Sequence, residues 1–136
     1  MDRFWIWVRI FAAALVGAGL VFGFPSRSVA NRSFFEREAR STVAQFFASI
    51  NARNFDKTCD LFSKRFYRAH RFRDKALCVL TLKIGFTWEP SYRFQIVGVK
   101  IDGDRAIVRA LADGFPGRLV LVREVGRYKI LAVRSS

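Results

Sequence analysis

The sequence predicts an α+β fold, with N-terminal helices packed on a curved antiparallel sheet, and three observations carry that reading. Apolar residues recur at helical spacing as far as Leu82. After Gly85 the period shortens to two, in four runs of strand-forming residues. The glycine-bearing links between those runs are short enough to demand antiparallel neighbours. The chain has 136 residues, 51% hydrophobic and 15% aromatic, which is enough for one buried core and excludes a disordered chain. Two cysteines are too few for a disulfide-built scaffold or a four-cysteine zinc site.

Residues 1–30 read as an address and residues 31–136 as a single domain. Arg3 and Arg9 precede an uncharged run, Ile10 to Phe24, and Ser28 and Ala30 supply the small residues a signal peptidase accepts. Fifteen helical residues reach roughly 22 Å, short of a hydrocarbon core near 30 Å. Cleavage after Ala30 is therefore the first reading and a retained membrane anchor the second. Both place the domain outside the cytoplasm, secreted or anchored by residues 1–30. The first thirty residues hold three basic and one acidic residue, so 21 and 10 remain in the domain, a net charge of +11.

Ser33 and Glu36 form an S-x-x-E capping box, which predicts a helix start there. Val43, Phe46, Phe47 and Ile50 continue it at helical spacing, and Asn51 to Asn54 closes it. Asp56 to Phe62 reads as a short second helix, with Ser63 as the cap of the next. On an unbroken wheel from Lys64, the basic residues Lys64, Arg68, Arg71 and Lys75 fall on one side. Phe62, Phe66, Ala69, Ala76 and Leu80 fall on the other. Arg73 would then lie in the apolar face, so a break near His70–Arg73 is expected, with Asp74 capping a new helix through Leu82. Trp88 to Pro90 is a loop. Strands follow at 92–101, 104–112, 118–125 and 127–133, with turns at Asp102-Gly103, Gly114–Gly117 and Gly126. The apolar parity shifts at Gly98, which predicts a bulge and a bend.

This order of parts, with Asn54 to Phe62 reading N-x-F-D-K-x-C-D-L-F and the sheet ending in Gly126-Arg-Tyr-Lys-Ile130, resembles the nuclear transport factor 2-like superfamily. More narrowly, it is similar to exported bacterial members with one cysteine in the second helix and another about twenty residues on. The resemblance implies a cone in which helices and sheet enclose a pocket. It spans isomerases, cyclases, dehydratases and non-enzymatic binding domains, so it does not assign a function.

The candidate residues follow. Cys59 and Cys78 are an even pair, which in an exported chain suggests a disulfide; two reduced core cysteines are the alternative. Phe46, Phe62, Phe66, Phe94 and Tyr128 fall on inward faces and either line a pocket for a small apolar ligand or fill the core. Lys64, Arg68, Arg71 and Lys75 offer an anion-binding face, within a stretch carrying six basic residues in twelve. Outside the cytoplasm its partners would be anionic lipid or a cell-envelope polymer, and nucleic acid is not expected. Asp56, Asp60 and Tyr67 are the acids and hydroxyl that an isomerase-like or cyclase-like pocket enzyme would use. The lone His70 sits among arginines, and Asp102 and Asp104 read as turn chemistry. No cofactor or metal set is discernible, and a homodimer through the sheet fits the superfamily. The leading expectation is an exported or membrane-tethered, non-enzymatic binding domain.

Overall fold

The computed structural model describes residues 29–86 and 91–135. The leader reading and the Trp88–Pro90 loop lie outside these residues, except that Val29 and Ala30 open the first helix. Among the described residues four helices precede four strands: α1 (Val29–Asn51), α2 (Phe55–Asp60), α3 (Lys64–Ala69), α4 (Lys75–Phe86), β1 (Phe94–Asp102), β2 (Arg105–Ala112), β3 (Phe115–Glu124) and β4 (Arg127–Ser135). Among the described residues, no helix is long and apolar enough to cross a membrane.

The first helix begins one turn before the expected capping box. Ser33 therefore lies inside it, and its hydroxyl accepts from Arg37 rather than from the backbone. A cap signature ends a helix only if the residues before it leave helical geometry, and these do not. The later caps form as the sequence predicts. Ser63 Oγ accepts from the Phe66 N–H and Asp74 Oδ1 from that of Leu77, and Asn54, where the sequence predicts only the end of α1, also caps α2 by accepting from the Lys57 N–H. The chain breaks at Arg71, which has a φ of 59°, so α3 and α4 are separate helices. The last of them runs on to Phe86, past the expected end at Leu82.

The sheet is a meander in the order β1-β2-β3-β4, antiparallel throughout. Its three loops are two residues long, between the pairs Asp102↔Arg105, Ala112↔Phe115 and Glu124↔Arg127. The middle turn is thus Asp113-Gly114, and Phe115, Pro116 and Gly117 belong to β3 instead of to a loop. Pro116 is tolerated because β4 pairs with β3 only from Gly117 onward, so the proline sits where the strand has one neighbour. The bulge falls beside Gly98: Ile96 faces Ala110 and Gly98 faces Arg109, leaving Val97 as the extra residue. A second bulge at Leu131 breaks the register between β3 and β4. Two bulges in outer strands bend the sheet around α1.

The core lies between α1 and the inner face of the sheet. Ala39, Val43, Phe46 and Ile50 of α1 are fully buried, as are Ala106, Ala110 and Ala112 of β2. The alanines leave volume that the phenylalanines of α1 take up. Burial of polar groups is matched by bonding: Ser49 and Thr58 share a 2.6 Å hydrogen bond, and Asn51 both donates to and accepts from the Tyr92 backbone. Glu38 of α1 and Arg123 of β3 form a half-buried ion pair at 2.7 Å, with the guanidinium 4.6 Å from the Phe35 ring and 5.0 Å from that of Tyr128. Burial opposes the charge on Arg123, but the hydrogen bonds and charges of Glu38 and Tyr128 together outweigh it, so the arginine is held protonated above its ordinary range. The α2–α3 link covers the free edge of β4: Ser63 N–H donates to Ile130, and Ile130 N–H to Leu61.

On the opposite face of the sheet, register places Gly98, Arg109, Arg118 and Arg134 side by side, one on each strand.

Candidate functional site

The residues with chemical potential collect where α2 meets the start of α4. Asp56 and Asp60 stand one turn apart on the outer side of α2. Lys75 Nζ binds both, at 3.0 Å from Asp56 Oδ2 and 2.8 Å from Asp60 Oδ1. The hydrogen bonds to Asp60 and then Asp56 raise the lysine pKa. Beneath them Cys59 and Cys78 form a disulfide that ties α2 to α4 and spans the basic stretch. Tyr67 Oη donates to the Cys59 carbonyl at 2.9 Å.

The three residues expected of a pocket enzyme thus come together, but in a setting that suits structure. Tyr67 is harder to ionise than usual, first because it is buried and then because Asp60 lies near. Its proton is already given to a backbone carbonyl. Asp56 and Asp60 are 72% and 58% exposed and share one lysine. A general base gains its reactivity from a dry, shaped pocket, and solvated, ion-paired carboxylates have none.

The five rings expected at a ligand cavity belong to the core or pack against it. Phe62 stacks on Phe66 at 3.9 Å and meets Phe46 edge-on at 6.0 Å. Phe94 stacks on Phe47 at 4.8 Å, and Tyr128 meets Phe35 at 6.4 Å. These rings take their contacts from one another and fill the interior.

The expected anion-binding stripe is dispersed. The break at Arg71 carries Arg71 and Lys75 off the helix that holds Lys64 and Arg68, so the four share no helix face. Lys75 is committed to its two carboxylates. At the start of that helix the Lys64 backbone N–H donates to the Glu124 carboxylate at 3.1 Å.

Sequence reasoning missed an open groove of about 430 Å3 beside the ion pairs, lined by Asp56, Lys75, Ala76, Val79, Leu80 and Lys83. The unbroken wheel turned Ala76 and Leu80 toward the apolar side with Phe66. The restarted helix instead turns Cys78, Leu82 and Phe86 inward, and leaves Leu80 52% and Ile84 73% exposed. α4 is therefore apolar on both sides, and its inward set lies about half a turn from its outward one.

Neither a family model nor a curated protein matches the sequence. Solved structures do resemble the fold. A nuclear transport factor 2-like (NTF2-like) protein from Streptomyces avermitilis, assigned as a dehydratase, aligns with a TM-score of 0.58 and 12% identity over 77% of this chain and 96% of its own. An NTF2-like protein of unknown function from Silicibacter pomeroyi aligns at 0.56 and 11%, over 80% and 98%. A protein from Thiobacillus denitrificans described as a calcium/calmodulin-dependent protein kinase type II association domain aligns at 0.52 and 14%, over 71% and 92%. The chain has the NTF2-like fold, as the order of its elements implied.

Proposed function

We propose that the chain is an exported or membrane-tethered, non-enzymatic binding domain whose contact site is the groove between α2 and α4. The observation that carries this reading is the outer side of α4, where Leu80 and Ile84 are exposed beside Ala76 and Val79. A contiguous water-facing apolar patch with a polar rim is the form that interaction sites and ligand grooves take. The occupant that fits is a small apolar ligand, seated on Val79 and Leu80 with the Asp56–Lys75 pair and Lys83 at its rim. The fold is compatible with enzymes and with binding domains alike, so the argument rests on the residues. Asp56, Asp60 and Tyr67 are engaged by Lys75 and by a carbonyl, which supports binding over catalysis. The Cys59–Cys78 bond and the pattern of residues 1–30 support a location outside the reducing cytosol.

The test is fluorescence titration of the full chain with the apolar dye anilinonaphthalene sulfonate. Leu80→Asp weakens dye binding at least about fivefold, through lost apolar area in the groove, while Asp60→Asn leaves it unchanged. Dye binding indifferent to Leu80→Asp overturns the reading. So does a turnover of enone or hydroxy-ketone probes that Asp60→Asn abolishes.

A further inference from the structure

We propose that the outer face of the sheet binds a linear, phosphate-bearing polyanion through Arg109, Arg118 and Arg134. This site is independent of the α2–α4 groove. In the ladder Arg109 pairs with Arg118, and Arg118 pairs with Arg134. Directly paired residues point to the same side of a sheet, so the three arginines stand side by side on one face across β2, β3 and β4. All three residues are exposed. Among the described residues, no ion pair joins any of them to a carboxylate.

Such a row is unfavourable by itself, because like charges directly opposite one another in a sheet repel. The neighbouring strand accommodates it. A Cβ placed on Gly98 would come within 2.9 Å of the Arg109 guanidinium, so the glycine leaves space for that side chain to lean over β1 and away from Arg118. The next row on the same face is Lys100, Ile107, Val120 and Ala132, which adds a fourth cation at its β1 end. The packing of the fold needs none of these charges. What would offset their repulsion is an anion that meets all three arginines at once.

The geometry selects its class. Adjacent strands lie about 4.8 Å apart, so the row extends about 10 Å. A single oxyanion reaches one or two guanidinium groups; three in line suit a chain of closely spaced anionic groups. The planar fork of arginine bonds phosphate oxygens in pairs, a pattern a lysine row would not specify. A lipid surface presents headgroups in two dimensions, whereas the three arginines form a single row.

The probe is long-chain inorganic polyphosphate, titrated against the full chain in non-ionic detergent at several salt concentrations. The triple variant Arg109→Gln, Arg118→Gln, Arg134→Gln loses affinity at least about tenfold, and the slope of log K against log salt falls by about 2. The variant Lys64→Gln, Arg65→Gln, Arg68→Gln removes the same charge from α3 and retains affinity within about twofold. Relief of repulsion leaves the Tm of the first variant at or above that of the parent. Arg118→Lys, which keeps the charge and loses the fork, weakens binding and guards against a folding artefact. Equal losses in the two triple variants reduce the effect to net charge and overturn the proposal. Preference for phosphatidylglycerol vesicles over polyphosphate overturns it in favour of a membrane surface.

Discussion

His70 closes α3 with its ring 4.1 Å from that of Phe66 and 5.7 Å from that of Phe72. Burial lowers its pKa below the ordinary value. The unfolded chain therefore holds that proton more tightly than the folded one, and stability rises with pH. The contribution is complete above about pH 7.5 and erodes as pH falls through about 6.5, the ordinary histidine value. Thermal melts between pH 7.5 and 5 should show a decline that His70→Gln flattens; an unchanged slope in the variant would refute the assignment. Val125 is the other residue whose local state is costly. It has a φ of 50° in the two-residue turn before Gly126 and is 96% exposed, so a β-branched side chain holds a left-handed conformation and gains no contact for it. Val125→Asn, which builds the Asn-Gly turn that such hairpins prefer, should stabilise the protein by about 1 kcal/mol. A calorimetric Tm that fails to rise would show that the strain is relieved elsewhere.

At the scale of elements, α4 has one principal neighbour among the described elements. It packs chiefly on α2 rather than on the sheet, and its ion pairs to Asp56 and Asp60 are exposed and so contribute little. The Cys59–Cys78 bond does the remaining work. It joins residues 19 apart in sequence, and in the chain-entropy model closing a loop of that size contributes about 3 kcal/mol. Reduction should lower the unfolding free energy by about that amount in denaturant titrations. Hydrogen exchange should accelerate first across residues 75–86. Uniform acceleration over helices and sheet alike would mean that α4 has no separate stability. The break before α4 was legible, because Arg73 conflicts with an unbroken wheel. The rotation of the new helix was not, since nothing local decides which of its two apolar faces meets α2.

At the scale of the molecule, the helix-then-meander order, the caps at Ser63 and Asp74 and the bulge beside Gly98 were legible because each is a local preference. The start of α1 was misplaced because Ser33 with Glu36 makes a capping box in sequence whether or not the chain turns there. The aromatic residues were legible as inward-facing, whereas their packing on one another depends on rings brought together from α1, α3 and β1. The arginine row escaped for a different reason: Arg109, Arg118 and Arg134 are far apart in sequence and become neighbours only through register. The connectivity of the fold also governs the order in which it is made. Among the described residues every strand pairs only with strands next to it in sequence, joined by two-residue loops. The sheet is therefore assembled from short-range contacts, hairpin by hairpin. α1 is the opposite case, since Thr42 bonds the Tyr128 carbonyl across 86 residues and Glu38 reaches Arg123 across 85. Among the described helices, α1 is the first to be synthesised and has no complete seat until the last strand is made, so part of its apolar face waits exposed during the domain's synthesis.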